Sequence, residues 1–351
     1  MNSKVLILAL AAMAAVACTT EIILEPEDTS VKVIMNAQLK TSDEGAMIYL
    51  SASKVSDTER LSGATVTVSV NGGTPVNAVE QPDEYNQYLG YEKYVAYYYD
   101  GSFNAGDRLV FEAKTKYGNV KSEITVPEKV NMDQVDTLRT IIKGSGYTET
   151  NMQFKIKLSD KPGVSNFYRL TVYKEECYDD GQGEGKKKYY FPIYADGSSD
   201  PVLSEGQINT GDLLSELLEM DNSFLIFNDN TFEGDSRTLR VNVNMYNLIA
   251  GFSFNYASPV TDYDPGYVYV VLEHLSFEEY YYLKAMTNME NLGYDASFFF
   301  EPTTIPSNVE DGLGFVSVST CSEPVKFRIP DDIYLYEIRY LEEHPEENPY
   351  Y

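Results

Sequence analysis

The feature of this sequence that most constrains its fold is an apolar pattern with a period of two residues. Val33, Met35, Ala37 and Leu39 recur at every second position, and the polar residues Asn36, Gln38 and Lys40 alternate with the last three, as expected of a strand with one buried face. The same alternation returns in later segments, at residues 65–70, 109–113, 120–126, 152–158, 168–172 and 239–245. Helical periodicity is confined to short stretches, so the sequence predicts a mainly β protein.

The first strands predict a small antiparallel sandwich at residues 30–130. The pair Asn71-Gly72 follows a strand and is typical of a type I′ hairpin turn, because both central positions of that turn need positive φ. Pro127 ends the last strand of the group, since proline has no N–H to donate to a ladder. Several short strands at this spacing are typical of a transthyretin-like or immunoglobulin-like sandwich.

The later strands predict a larger, β-rich second domain at residues 135–330, interrupted by two short helices. Asp212 can cap the first helix, which carries leucines along one stripe. Ser276 and Glu279 form a capping-box pattern at the start of the second helix. Gly293 is a natural end for that helix.

The acidic, tyrosine-rich tail at residues 331–351 leaves two interpretations open. The tail is either disordered or a helix. As a helix it would dock through an apolar face made of Tyr334, Tyr336, Ile338 and Leu341.

The first residues predict an export signal. Lys4 precedes an uncharged apolar run at residues 5–17, which is shorter than the roughly 20 residues that a membrane-spanning helix needs. Residues 1–17 therefore match a secretory signal peptide. The sequence Ala-Val-Ala-Cys at 15–18 resembles the lipobox of bacterial lipoproteins, and this resemblance implies lipidation of the Cys18 sulfur. The alternative is an ordinary signal peptide cut at the same place, with the cysteine incidental.

Residues 18–29 predict an acidic tether behind the lipidated cysteine. The acids of the tether begin at Glu21 and resemble the surface-export signal of Bacteroidota lipoproteins. A lipid on Cys18 would hold the protein at a membrane that the chain never crosses. The predicted location is the outer membrane, facing the cell exterior; a plain solvated tether would explain the same acids.

Charge and cysteine content restrict the partners and the cross-links. The formal net charge of −27 argues against nucleic-acid binding, because an anionic surface repels phosphates. Apart from Cys18, the cysteines are Cys177 and Cys321. They form a disulfide or stay unpaired, and the sequence leaves both options open.

No residue pattern in the sequence predicts catalysis. The chain has only two histidines, His274 and His344, and it lacks both a nucleophile-elbow motif and zinc-ligand spacing. His274 ends a predicted strand, where a structural role with a hydrogen-bonded ring is expected. Acids are numerous, so a carboxylate-dependent hydrolase is kept as a remote alternative.

One polar turn offers oxygen ligands for a cation. Its candidate ligands are Asn228, Asp229, Asn230, Glu233 and Asp235. Calcium prefers such oxygen ligands, but their spacing does not match an EF-hand loop. The alternative is a plain turn stabilised by Asn and Asp side chains. No other cofactor is predicted.

The most specific pattern lies near the C-terminus, in the stretch PSNVEDGLGF. Its matching positions are Pro306, Ser307, Asn308, Gly312, Leu313, Gly314 and Phe315. This stretch closely resembles the C-terminal signature of a Bacteroidota lipoprotein family called domain of unknown function 4249, and we call residues 306–315 the signature segment. Taken alone, Asn308 favours a side-chain turn, and Gly312 and Gly314 favour positive φ or close backbone approach.

The resemblance implies a cellular context more than a mechanism. Members are often encoded beside TonB-dependent outer-membrane transporters, and no catalytic or ligand residues are established for the family. We therefore expect a non-catalytic lipoprotein that binds a ligand or partner as an accessory of such a transporter, with the ligand unspecified. An adhesin or fimbria-like structural subunit is the alternative.

Overall fold

The computed structural model describes residues 30–54, 58–82, 93–144, 147–179, 186–205, 222–249, 266–292 and 305–347. Several predicted features lie outside the described residues. These are the signal peptide, the lipidation site Cys18, the tether with Glu21, the helix at Asp212 and the helix end at Gly293.

The described residues are mainly β, as predicted. The strands are β1 (Lys32–Lys40), β2 (Ala46–Ser53), β3 (Thr58–Arg60), β4 (Thr65–Val70), β5 (Val76–Asn77), β6 (Val79–Glu80), β7 (Val95–Tyr99), β8 (Arg108–Thr115), β9 (Gly118–Thr125), β10 (Gln134–Gly144), β11 (Tyr147–Ser159), β12 (Phe167–Asp179), β13 (Lys186–Ile193), β14 (Ile226–Asn228), β15 (Ser236–Asn244), β16 (Tyr267–Leu275), β17 (Val316–Cys321) and β18 (Val325–Arg328). The helices are α1 (Pro201–Glu205), α2 (Met245–Ile249), α3 (Phe277–Leu292) and α4 (Ile333–Glu343), followed by a 3-10 turn at Pro345–Glu347.

Most strands join one 11-stranded sheet, which we call the main sheet. Its path is β13-β12-β16-β17-β1-β2-β7-β6, with β14 beside β12, β18 beside β16 and β3 beside β2. The pair β1–β17 is parallel, with Ala37 opposite Val316 and Lys40 opposite Ser319. The other pairs are antiparallel. Strands from both predicted domains therefore share this sheet.

Two smaller sheets cover the main sheet and create two cores. The sheet β5-β4-β8-β9 contributes Phe111 to a first core that also contains Met35. The sheet β10-β11-β15 contributes Phe154 to a second core that also contains Leu170. These four side chains come from the alternating apolar positions, and fully burying each one contributes about 1.5–3 kcal/mol. The sandwich predicted for the N-terminal strands is thus present.

Strand β17 and the segment that precedes it complete the first core. Val309, Val316 and Val318 pack in the same cluster as Val33 and Leu39. The predicted domain boundaries followed chain order and assigned residues 309–318 to the second domain. The structure corrects this placement: the alternation identifies a strand, whereas its neighbour is chosen by contacts that are remote in sequence.

The Asn71-Gly72 turn is confirmed. Both residues have positive φ, 53° and 71°, and the N–H of Gly73 donates to the Val70 carbonyl oxygen at 2.9 Å. The turn joins β4 to β5. Asparagine and glycine tolerate this left-handed geometry better than other residues do.

Helix α3 begins at the predicted position. The N–H of Glu279 donates to Ser276 Oγ at 3.1 Å, which is the expected cap of a helix N-terminus. The aromatic ring of Tyr280, one turn into α3, packs with Leu275 in a small satellite cluster. The Ser276 half of the predicted capping box is therefore present.

The tail adopts the helical alternative as α4. Ile333 at its start is fully buried in the second core. The Arg139 guanidinium, on β10, lies 4.6 Å from the centre of the Tyr336 ring and 2.7 Å from Asp332 Oδ1. These contacts dock the helix against the sheet that covers the second core.

Candidate functional site

A cavity of about 630 Å³ opens over the main sheet, where β12, β16, β17 and β1 lie side by side. The alternation of the strands decides which side chains reach it. Val172 and Val270 point into the second core, so the adjacent Tyr173 and Tyr269 lie on the opposite face. These tyrosines pair across β12 and β16 and line the cavity together with Lys40, the last residue of β1.

The polar floor of the cavity is a buried hydrogen-bonded group. Lys40 Nζ donates to Glu273 Oε1 at 2.6 Å and to Tyr173 Oη at 2.8 Å, and Thr171 Oγ1 donates to the same Glu273 oxygen at 3.1 Å. Burial alone would lower the pKa of Lys40, but the charge of Glu273 and these hydrogen bonds raise the pKa above its ordinary value. The ammonium therefore stays charged at any physiological pH.

One wall of the cavity is aromatic. The Tyr190 and Tyr269 rings meet edge to face with their centres 5.3 Å apart. Burial raises the pKa of Tyr269, and so does its hydrogen bond to Glu175. Lys188 Nζ lies 2.9 Å from the same carboxylate, and the Lys326 ammonium lies 5.5 Å from the centre of the Tyr269 ring. The Tyr269 ring is thus held in place by charged neighbours.

Cys321 lines the cavity as a free thiol, so the structure favours the unpaired alternative for this residue. Burial raises the pKa of the thiol, and the negative charge of Glu273 raises it further. Ser42 Oγ is 3.9 Å from the sulfur. A thiol in these surroundings is a poor nucleophile, because the reactive form is the thiolate.

Both histidines are held by backbone carbonyl groups. His274 Nδ1–H donates to the Glu128 carbonyl oxygen at 2.7 Å, and burial lowers the pKa of the ring. His344 Nδ1–H donates to the Tyr340 carbonyl oxygen at 3.0 Å, and its ring stacks on that of Tyr340. The hydrogen-bonded ring predicted for His274 is confirmed.

The predicted calcium turn is an Asn/Asp turn in the structure. Asn230 N–H donates to Asn228 Oδ1 at 3.1 Å, which closes a side-chain turn. The buried Asp229 carboxylate accepts two hydrogen bonds from Asn166, at 2.7 Å from the backbone N–H and 2.8 Å from Nδ2. Burial raises the pKa of Asp229 despite these bonds. The carboxylate therefore ties the turn to the loop before β12.

The other two candidate ligands serve the same loop structure. Glu233 Oε1 accepts a hydrogen bond from Gly163 N–H at 3.2 Å, and the Asp235 N–H donates to the Phe232 carbonyl oxygen at 2.9 Å. Within the described ranges, no group of three or more His, Cys, Asp or Glu side chains is arranged to hold a metal ion. Calcium binding stays a prediction.

The signature segment lies along β1. Leu313 N–H donates to the Val33 carbonyl oxygen at 2.8 Å, and Met35 N–H donates to the Leu313 carbonyl oxygen at 2.9 Å. Gly314 has φ 111°, and a β-carbon there would lie 2.2 Å from the Met35 carbonyl oxygen. Positive φ and close backbone approach, the two reasons for a glycine expected from the sequence, therefore both apply at position 314.

The same segment also reaches the opposite sheet of the sandwich. Glu310 N–H donates to the Lys121 carbonyl oxygen at 2.7 Å, and Lys121 N–H donates to the Glu310 carbonyl oxygen at 3.3 Å. A β-carbon on Gly312 would lie 2.6 Å from Val120 Cγ1. The segment therefore forms a seam between β1 of the main sheet and β9 of the covering sheet.

Two further residues hold the ends of the seam. The Asn308 side chain accepts from Val316 N–H at 2.9 Å and donates to the Val316 carbonyl oxygen at 2.7 Å. The Phe315 ring is buried and stacks on Tyr282 of α3 at 4.4 Å. Of the residues ahead of them, Pro306 is half-buried, and Ser307 Oγ accepts from Val309 N–H at 3.4 Å. The seam is structural at each of these positions.

The comparison with protein families bears out the resemblance. The family model described as domain of unknown function 4249 (DUF4249) matches residues 19–323. The chain belongs to this family. No curated protein matches its sequence. In the described part of the chain, no helix is both long enough and apolar enough to span a bilayer.

The cavity falls within the DUF4249 match, since Lys40, Tyr173 and Glu273 all lie inside residues 19–323. No sequence pattern identifies the group formed by Lys40, Tyr173 and Glu273, because Lys40 and Glu273 are 233 positions apart. One signal was available: Glu273 interrupts the apolar strand YVYVVLEHL, and an acid inside such a run needs a buried partner.

Proposed function

We propose that this protein is a non-catalytic, lipid-anchored lipoprotein of the outer membrane that binds a ligand as an accessory of a TonB-dependent transporter. The observation that carries the binding role is the cavity over the main sheet. At about 630 Å³, it has the size of a small-molecule site, and its lining combines aromatic and apolar side chains with polar and charged ones. Its floor is already held in place by the Lys40–Glu273 pair.

The proposed anchor places this cavity at a membrane surface. The lipobox-like sequence ending at Cys18 and the acidic tether at residues 18–29 support lipidation and outward display. A tether of this length would keep the binding domain at a high effective concentration beside a membrane partner. The transporter assignment draws on the lipoproteins that the sequence resembles, which are often encoded beside TonB-dependent transporters.

The structural-subunit alternative receives less support from the sheet edges. β13, at one end of the main sheet in the described part of the chain, carries Lys186, Lys187, Lys188 and Pro192. The other end is the two-residue strand β6. Lysine, proline and short strands at an edge oppose pairing with another chain, so assembly of copies through these edges is disfavoured.

The hydrolase alternative also receives little support from the cavity. A glycosidase needs one protonated acid and one carboxylate. Glu273 is paired with Lys40. For Glu175, burial raises the pKa, but the hydrogen bonds from Tyr269 and Lys188 outweigh it and bring the pKa below its ordinary value. Both acids are thus held by cationic or phenolic partners, and we assign neither a proton-donating role.

Membrane fractionation tests the proposed function. The Cys18→Ala variant should leave the membrane fraction, whereas Cys321→Ala removes a thiol without touching the anchor and should stay in it. A mild-detergent pull-down of the native protein should recover a large β-barrel transporter. Membrane association of Cys18→Ala equal to that of the native protein would refute the anchor, and recovery of stable ladders of this chain alone would favour the structural subunit.

A further inference from the structure

We infer that the cavity binds an amphipathic carboxylate, with the carboxylate group on Lys40 and Tyr173 and the apolar body against the aromatic wall. This inference deepens the proposed binding role and rests on it. Two kinds of ligand carry such a carboxylate group: a free organic acid, and a peptide with a free C-terminus.

The cavity floor has two hydrogen-bond donors that are not used within the described part of the fold. An ammonium group has three N–H donors, and Lys40 uses one on Glu273 and one on Tyr173. Tyr173 accepts that bond, so its own O–H is still able to donate. Within the described residues neither group makes another hydrogen bond, and both side chains line the cavity. Two donors 2.8 Å apart suit the two oxygens of one carboxylate.

The Lys40–Glu273 ion pair turns its positive end toward the cavity. The Glu273 side chain is 1% exposed and that of Lys40 is 27% exposed, so the cavity meets the positive end of the pair. Lys129 at the rim is paired with the exposed Glu323 at 2.8 Å, which leaves the rim neutral. An anion is therefore favoured only in direct contact with the Lys40 ammonium, because at the Cys321 thiol of the same cavity the negative charge of Glu273 outweighs the positive charge of Lys40.

Aromatic and apolar side chains form much of the cavity wall. Phe103 and Val271 are nearly buried and line the cavity with the Tyr190 and Tyr269 rings, so a ligand needs an apolar body to fill it. A phosphate group would fit less well, because its three terminal oxygens and higher charge call for more donors and cations than one ammonium and one phenol supply. No arginine is among the described residues that line the cavity.

Calorimetry on the purified full-length protein in a non-ionic detergent tests the inference. The probes are 3-phenylpropionate and its neutral amide, and the tripeptide Gly-Gly-Phe with a free or an amidated C-terminus. We expect the free acids to bind about tenfold or more tightly than their amides, because a hydrogen bond to a charged group is at stake. Tighter binding of the tripeptide acid would identify a peptide C-terminus as the source, and tighter binding of 3-phenylpropionate a free acid.

Two variants and a control locate the carboxylate. Tyr173→Phe keeps the ring and removes one donor, so the free acid should bind about tenfold more weakly. The double variant Lys40→Met with Glu273→Gln removes the ammonium without leaving a bare buried charge, and should abolish the preference for acid over amide. Lys157→Met, which removes an exposed lysine of β11 outside the cavity lining, should change affinity less than about threefold, as expected for a surface substitution.

The inference is overturned if acid and amide bind equally well, if no probe binds at about 10 mM, or if folded Tyr173→Phe binds the acid like the native protein. Near-ultraviolet circular dichroism checks the fold of each variant, and Tyr173→Phe decides the outcome if the double variant does not fold. Loss of carboxylate binding in a protein that still fractionates with the membrane would refute the ligand class alone. Failure of the Cys18 experiment would refute the proposed function.

Discussion

Gly314 packs against the backbone of Met35 so closely that a β-carbon at position 314 would lie 2.2 Å from the Met35 carbonyl oxygen. The two residues are nearly the whole chain apart, yet their contact closes the seam between the two sheets of the first sandwich. The most family-specific stretch of the sequence is therefore a piece of structure that holds the N-terminal sandwich together.

Replacing Gly314 tests the seam. Gly314→Ala should lower the free energy of unfolding by more than about 3 kcal/mol, since it adds a backbone clash to the cost of positive φ. Gly63→Ala is the matched control, because Gly63 also has positive φ, 74°, and no atom lies within 4 Å of an added β-carbon. Urea unfolding measures both. Equal losses in the two variants would show that the close approach does not matter.

The N-terminal sandwich should not fold from its own strands alone. A fragment of residues 30–130 lacks β17 and Val309, Val316 and Val318, which complete the first core, and it exposes the edge of β1. We expect this fragment to show little cooperative unfolding by circular dichroism. A fragment extended by a flexible linker to residues 305–321 should recover a cooperative transition. A sharp transition in the short fragment would contradict the prediction.

Glu279 should make the protein less stable as the pH rises from about 4.5 to about 8. Burial, and then the charge of Glu273, raise the pKa of Glu279 to about 8 from 4.5, so the folded state keeps a proton that the unfolded state releases. The full stabilising contribution of that proton is present at a pH below the pKa of Glu279 in the unfolded state. The contribution is lost as the pH rises through the pKa of Glu279 in the folded state, with a slope of at most about 1.4 kcal/mol per pH unit.

Glu279→Gln should flatten this dependence, because an amide stays neutral in both states. Urea midpoints at pH 5 and pH 8 measure the effect, and Glu278→Gln, at an exposed neighbouring position, is the control. Identical slopes in the native protein and in Glu279→Gln would show that the carboxyl group ionises at the same pH in both states.

The Lys40–Glu273 pair should show strong coupling. Lys40→Met leaves the carboxylate of Glu273, whose side chain is 1% exposed, without its cation, and should cost about 3–5 kcal/mol of stability. Adding Glu273→Gln to Lys40→Met should restore part of that loss, because the bare charge is gone. A double-mutant cycle from urea unfolding gives the coupling, and additive losses would contradict a direct interaction.

The turn at residues 228–235 should not need calcium. Its buried carboxylate, Asp229, is already bound to Asn166, and we expect about 1 mM calcium or an excess of chelator to leave the melting temperature unchanged. Asp229→Ala should lower the melting temperature in either buffer, since Asn166 loses its acceptor. A chelator-sensitive melting temperature, or calcium heat in calorimetry, would restore the cation-site interpretation.

Local patterns predicted much of the fold. The alternating apolar residues in β1, β8 and β11 face the cores as expected, and the Asn71-Gly72 turn and the Ser276 cap occur where the sequence placed them. The candidate site was not predictable in the same way. Lys40, Tyr173 and Glu273 each sit in an ordinary strand, and no spacing along the chain relates them.

The mainly β character, the sandwich of the first strands and the family follow from the amino-acid order, because strand periodicity, turn residues and short motifs depend on neighbours along the chain. The pairing of β17 with β1, the role of the signature segment as a seam and the meeting of Lys40 with Glu273 at the floor of a cavity become visible in the folded molecule alone. The physical reason is that strand order and register follow from the joint burial of remote side chains, which no single segment encodes.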